Sequence, residues 1–208
     1  MPSPISHLVY ARKYLDRHPR VDEAAFIAGS VFPDIHYLAE MDRTQTHTPN
    51  KISPAMVKSE LDGWKAGTNH HNVVDDVWNA FVEKNAPEVF ADPVATQALK
   101  MLEDEFLYAE IPDWLPVRVA LRVVPTEEHG LIAPAVGLKW HSLLNKLVVA
   151  PPQRERRESL LRELHYEDEQ LIELEAEVKK LRINSDTIKL LTNLSAHIVQ
   201  TVGNQNAK

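Results

Sequence analysis

Gly67-Thr68-Asn69-His70-His71-Asn72-Val73-Val74-Asp75-Asp76 is the stretch on which the reading of this chain turns. Val77, Trp78 and Phe81 continue its apolar positions, and Met56, Val57, Leu61 and Trp64 precede them at spacings of three, four or seven. That periodicity predicts a helix from Ser53-Pro54, a cap followed by a first-turn proline, to about Lys84. Residues i and i+4 of a helix stack on one face. His71 and Asp75 then aim an imidazole and a carboxylate at one point, a pair that can bind a single metal ion. His70 and Asp76 are each turned about 100° away from these neighbours, which predicts surface or supporting roles. Gly63 and Gly67 fall inside the pattern, and each costs about 1 kcal/mol relative to alanine in a helix interior. Together they predict either a break near residues 67–69 or the close approach of another backbone just before His70.

Outward from this helix the chain reads as helical throughout. Ser3-Pro4 opens a helix carrying Ile5, Leu8, Val9 and Leu15, with His7 in its first two turns. Asp22 caps a second, Glu23 to Val31, which Pro33 ends because proline disfavours α geometry in the residue before it. Asp34 follows just past that end. Residues 35–52 read as a loop with some helix and contain His36, Arg43 and Thr46-His47. Further helices are predicted from Asp92-Pro93 to Tyr108, over Val117 to Val124 and over Pro134 to Val149. Pro151-Pro152 marks a change in composition. Residues 153–182 are rich in Arg, Glu and Leu, and Leu164, Leu171 and Val178 recur every seven, which predicts a coiled-coil-like stripe. A last helix carries Ile188, Leu191, Leu194 and Ile198. The expected organisation is an all-α domain over 1–150 and a long helical appendage over 151–208. The appendage is expected to pair within the chain or to associate copies into a homo-oligomer.

The composition narrows the function classes. A chain of 208 residues suits one domain or one domain with an appendage. A net charge of −7 argues against an extended basic surface for nucleic acid, though not against small phosphate esters. The absence of cysteine excludes disulfides and thiolate zinc sites, so any metal must use the carboxylates and the ten histidines. No start resembling a secretion signal and no apolar run long enough for a membrane span are present. A soluble cytoplasmic protein is the expectation.

Five residues, His7, Asp34, His47, His71 and Asp75, form the candidate metal set. Neutral imidazoles and carboxylates are the ligands of hydrolytic zinc, and manganese or iron accepts the same set. Arg43, four before His47, is placed to clamp a phosphate bidentately or to form a surface ion pair. His36, His70 and His141 are candidates for an additional ligand.

These residues resemble the zinc-dependent phospholipase C superfamily, which also contains single-strand-specific nucleases. Phe26-Ile27-Ala28-Gly29-Ser30-Val31-Phe32-Pro33-Asp34 is similar to its apolar, Gly-Ser, Pro-Asp signature. Thr46-His47 is similar to its Ser/Thr-His pair, and Gly67 to Asp75 to its Gly-x-x-x-His-x-x-x-Asp helix. The resemblance covers roughly residues 1–85. It implies an all-helical phospholipase C/nuclease-like fold and hydrolysis of a phosphate ester, a small phosphoester or a lipid headgroup. It implies that Asp34, His47, His71 and Asp75 bind one metal and that His7 and Asp75 contribute to a second, with Asp34 also acting as general base or water-orienting group. Phe81 stands where the three-metal members carry a histidine. Neither His129 nor His141 is followed four residues later by a glutamate, so one or two ions are expected rather than three. No adjacent His-Asp dipeptide is present, against a helical phosphohydrolase of the HD type. A metal-binding interaction or assembly module without catalysis is the alternative.

Overall fold

A computed structural model describes residues 4–20, 22–48 and 51–203, and among these it is all-helical, with twelve α-helices and no strand. The first is α1 (Pro4–Arg17), followed by α2 (Glu23–Gly29), α3 (His36–Ala39), α4 (Pro54–Ser59) and α5 (Gly63–Asn85). Then come α6 (Pro87–Ala91), α7 (Pro93–Tyr108), α8 (Leu115–Ala120) and α9 (Pro134–Leu147). The chain ends with α10 (Arg154–Glu163), α11 (Asp168–Arg182) and α12 (Ser185–Gly203). Ser3, expected to cap α1, lies outside the described residues. The α1 helix is buried along its length, with Ile5, Leu8, Val9, Ala11 and Leu15 all sealed in the core. It is packed by α7, α12, α2 and α5.

The expected long helix from Ser53 is two helices. Asp62 accepts a hydrogen bond from Lys65 N and starts α5 afresh, and Glu60 turns extended to end α4. An N-cap of this kind stabilises its helix by about 1 kcal/mol, enough to restart a helix where Leu61 has nothing to pack on; Leu61 is 96% exposed. Within α5 the glycines mark close approach, not a break. A Cβ on Gly67 would fall onto the backbone carbonyl of Phe26, and one on Gly29 onto that of Trp64. These two glycines let α2 and α5 touch backbone to backbone.

The residues after Pro152 differ from the expected single stripe. The chain turns at Leu164–Glu167, with His165 at φ 66°, and Glu167 with Gln170 forms a capping box that opens α11. Leu164 therefore sits at the end of α10 while Leu171 and Val178 lie on α11, so their sevenfold recurrence spans two helices. Helix α11 packs along α7, and α12 packs against α5 and α1. Leu171, Val178, Leu191, Leu194 and Ile198 enter the same apolar core as Ile5 and Leu99. Buried Arg157 on α10 meets both Glu175 carboxylate oxygens, at 2.8 and 3.0 Å, and also pairs with Glu105 of α7.

Two carboxylates of α7 hold α1 in place. Asp104 accepts from Ser6 N and Ser6 Oγ, both at 2.7 Å, and so caps the first turn of α1 from 98 residues away. Glu103 accepts from Tyr10 Oη at 2.6 Å and Trp78 Nε1 at 2.8 Å, joining α1, α5 and α7. Burial pushes the Glu103 pKa up to about 7 despite these two hydrogen bonds. A carboxyl whose folded pKa exceeds its unfolded value retains its proton longer in the fold. Its contribution to stability is full below the unfolded value, near 4.5, and is lost as pH rises to about 7. Relative to wild type, Glu103→Gln should therefore gain stability steadily across that window and level off above it. Urea unfolding midpoints at several pH values test this, and a flat difference between the two proteins would refute it.

Candidate metal centre

Four segments converge on one buried point. His7 comes from α1, Asp34 from the 3-10 turn Pro33–Ile35, and His71 and Asp75 from α5. His47 follows the 3-10 turn Arg43–Gln45, which Asp42 caps through Thr44 N. All five side chains are largely buried, including Asp75 at 13%. Two ligand groups result, His7 with Asp34 and His71, and His47 with His71 and Asp75, each with one donor atom per residue within 4.8 Å of the others.

Asp75 is the centre of the arrangement. Its Oδ1 lies 3.5 Å from His7 Nε2, and its Oδ2 lies 3.7 Å from both His47 Nε2 and His71 Nε2. The 3.7 Å separations are too long for hydrogen bonds. They are close to the roughly 3.3 Å expected between neighbouring ligands of a tetrahedral zinc with bonds of about 2.0–2.1 Å. The two oxygens face different imidazoles, the disposition of a carboxylate able to serve one ion or to bridge two. Arg43 Nη2 also reaches Asp75 Oδ2, at 2.7 Å, from a side chain that is itself largely exposed.

The imidazole tautomers are set from behind. His71 Nδ1–H donates to the Ser30 carbonyl at 2.9 Å, leaving Nε2 to face Asp75 and Asp34. An outer hydrogen bond of this kind fixes the orientation and basicity of a metal-binding histidine. Thr46 Oγ1 lies 3.1 Å from His47 Nδ1 and plays the matching part there. The His7 and His71 rings stack at 3.8 Å. His71 belongs to both ligand groups and has one free lone pair, so it could serve only one ion.

The electrostatics suit a cation. Burial, then the neighbouring His71 and Arg43, lowers the His47 pKa to about 3, and burial with His7 lowers that of His71 to about 4. Both are therefore neutral, as ligands must be. Burial also opposes charge on His7, but Asp75 and Asp34 outweigh it and raise its pKa. Burial favours the neutral acid at Asp34, and His71 and His7 overcome it. At Asp75 burial is overcome by Lys100, His71 and His7, which hold the carboxyl well below its usual range.

Four buried atoms of the cluster have no hydrogen-bond partner among the described residues: His7 Nδ1, Asp34 Oδ2, His47 Nε2 and His71 Nε2. A buried polar atom without a partner costs about 1–3 kcal/mol. Other unpaired atoms, such as Gln97 Nε2 and Trp140 Nε1, occur elsewhere in the fold. Those of the cluster belong to residues brought together around one point, and three of the four are lone-pair donors. The donor set is one that could hold a metal ion, with zinc, manganese and iron all accepting such ligands.

The three additional candidates fall outside both groups. The His36 Nδ1–H donates to the Pro33 carbonyl at 2.8 Å, and its ring meets His47 edge-on at 5.2 Å, so it supports a ligand. His70 is sealed between Tyr14 and Phe26, each ring 5.3 Å away. His141 lies with Glu128, Nε2 to carboxylate 3.1 Å, and its Nδ1 faces the Leu121 carbonyl at 3.3 Å. Oxygen acceptors take both of its ring nitrogens. Sequence reading passed over Asp104, Lys100 and the ligand-orienting Ser30 carbonyl. The Ser30 site lies inside the quoted Gly-Ser motif, whereas Asp104 meets Ser6 only through tertiary packing.

No protein-family model, no curated protein and no solved structure matches this chain. None of its described helices is long and apolar enough to cross a membrane.

Proposed function

We propose that this chain is a metal-dependent hydrolase of phosphate esters, with zinc held by His7, Asp34, His47, His71 and Asp75. The observation that carries the reading is the approach of two unpaired imidazole nitrogens, His47 Nε2 and His71 Nε2, to Asp75, with Asp34 grouped beside His7 and His71. The resemblance of the Gly-Ser…Pro-Asp, Thr-His and His-x-x-x-Asp motifs to the zinc-dependent phospholipase C superfamily supports the choice of reaction. Bound zinc lowers the pKa of water toward neutrality and neutralises charge developing on phosphoryl oxygens.

The protein groups divide the remaining work. His47 and His71 offer neutral nitrogens, oriented by Thr46 and Ser30. Asp75 balances charge and presents one oxygen to each side. Asp34 Oδ2, ionised and unpaired, accepts the proton of an attacking water or aligns it. Arg43, largely exposed, supplies a planar fork of donors for a phosphate ester. A small soluble phosphoester and a lipid headgroup share this chemistry.

A closed, catalytically silent metal site in an assembly module is the second reading, and the burial of the four donors other than Asp75 favours it. Turnover of a chromogenic phosphodiester with zinc or manganese separates the two. Asp34→Asn should retain at least one equivalent of metal while turnover drops by about 10²–10⁴-fold, the range for loss of a general base. A metal-loaded wild type that turns over no ester would establish the silent site.

A further inference from the structure

Arg43 and a bound ion would claim the same atom. Its Nη2 donates to Asp75 Oδ2 at 2.7 Å, while His47 Nε2 and His71 Nε2 both face that oxygen from 3.7 Å. The guanidinium thus occupies a coordination direction of the very oxygen that completes one ligand group. The Arg43 side chain is 55% exposed, so it can swing into solvent at little cost, whereas Asp75 is 13% exposed and sits mid-helix in α5 among His7, His47 and His71. Its backbone carbonyl also accepts from His47 N at 2.9 Å, which places the mobile cation and a ligand on one turn.

We infer that the Arg43–Asp75 ion pair is an exchangeable latch, in which Arg43 neutralises Asp75 in the metal-free chain and is released to bind an anion when an ion takes Asp75. This rests on the metal-centre reading above. Competition for one oxygen makes Arg43 oppose metal binding. An anion that holds Arg43 away removes that opposition, so metal and anion bind with positive coupling, and the coupling is reciprocal. The same residue is therefore a restraint on the empty site and a positioning group in the loaded one. A fixed scaffold residue would give neither effect.

The test compares wild type with Arg43→Gln and Arg43→Lys, using zinc alone against a chromophoric chelator in a non-coordinating buffer. The thermal transition of each checks that the exposed substitution leaves the fold intact. Arg43→Gln should bind zinc about fivefold more tightly than wild type. Raising the salt concentration should narrow the gap, and Arg43→Lys should fall between the two. Inorganic phosphate titrated into the zinc-loaded proteins should then bind Arg43→Gln about tenfold more weakly. Unchanged or weaker zinc binding by Arg43→Gln overturns the latch while leaving the metal centre standing. A wild-type chain that takes up no zinc overturns the centre and the latch together.

Discussion

Replacing Asp75 by asparagine is expected to reduce zinc affinity by about a hundredfold or more, and to take phosphodiester turnover down with it. Loss of even an outer-shell partner of a metal ligand costs about 10–100-fold in affinity, and Asp75 is a member of one ligand group and lies against His7 of the other. Asparagine preserves size and helical position but removes the charge that balances an ion. The Asp75 oxygens face His7 on one side and His47 and His71 on the other, so one substitution disturbs both groups. Arg43 loses its partner in the same step. The fold should survive, because the apolar core of α5, with Val74, Trp78 and Val82, is untouched. Elemental analysis, chelator competition and circular dichroism together check this. Undiminished zinc content in a folded Asp75→Asn would mean that the cluster is not the metal site.

The second large effect is expected from a single methyl group. Gly67→Ala should destabilise the protein at or above the upper end of the range of about 1–3 kcal/mol known for overpacked cores. The added Cβ meets the backbone of Phe26, Gly29 and Ser30. A backbone cannot rotate away as a flexible side chain can. In a protein of this size the loss corresponds to roughly 6–12 °C in Tm. It should also push Ser30 from His71, whose Nδ1 donates to the Ser30 carbonyl. Weaker zinc binding is therefore expected alongside the lower Tm. Gly130, whose Cβ would meet nothing within 4 Å, provides the control: Gly130→Ala should leave both properties near wild type. Equal Tm values for the two variants would refute the close helix contact.

The contrast between these substitutions shows what was legible in sequence. His71 and Asp75 were readable as a pair because a helix places i and i+4 together whatever surrounds it. Gly67 was readable as an anomaly, a costly residue inside an apolar period, but its cause was not. Break and close approach predict the same letter, and only the position of α2 distinguishes them. That His36, His70 and His141 lie outside both ligand groups was hidden for a related reason. A histidine's chemistry is visible in sequence, while the acceptor that claims its nitrogens is not. His141 meets Glu128 and the Leu121 carbonyl, His36 meets the Pro33 carbonyl through Nδ1, and His70 is enclosed by the Tyr14 and Phe26 rings. The seven-residue stripe of 153–182 misled because apolar spacing records burial without saying whether one helix or two deliver it.

What the sequence by itself determined was the all-helical class, the caps at Asp22, Ser53 and Asp92, and the local pairing of His71 with Asp75. Each is set by interactions within a few residues, where backbone geometry leaves little choice. Only the tertiary structure decided that His7, Asp34 and His47 arrive at the same point, that Arg43 lies against Asp75, and that α11 and α12 join the core. Those contacts join residues far apart in the chain. They depend on how helices pack side by side, and that is settled by the whole apolar surface, down to two glycines that let α2 and α5 touch.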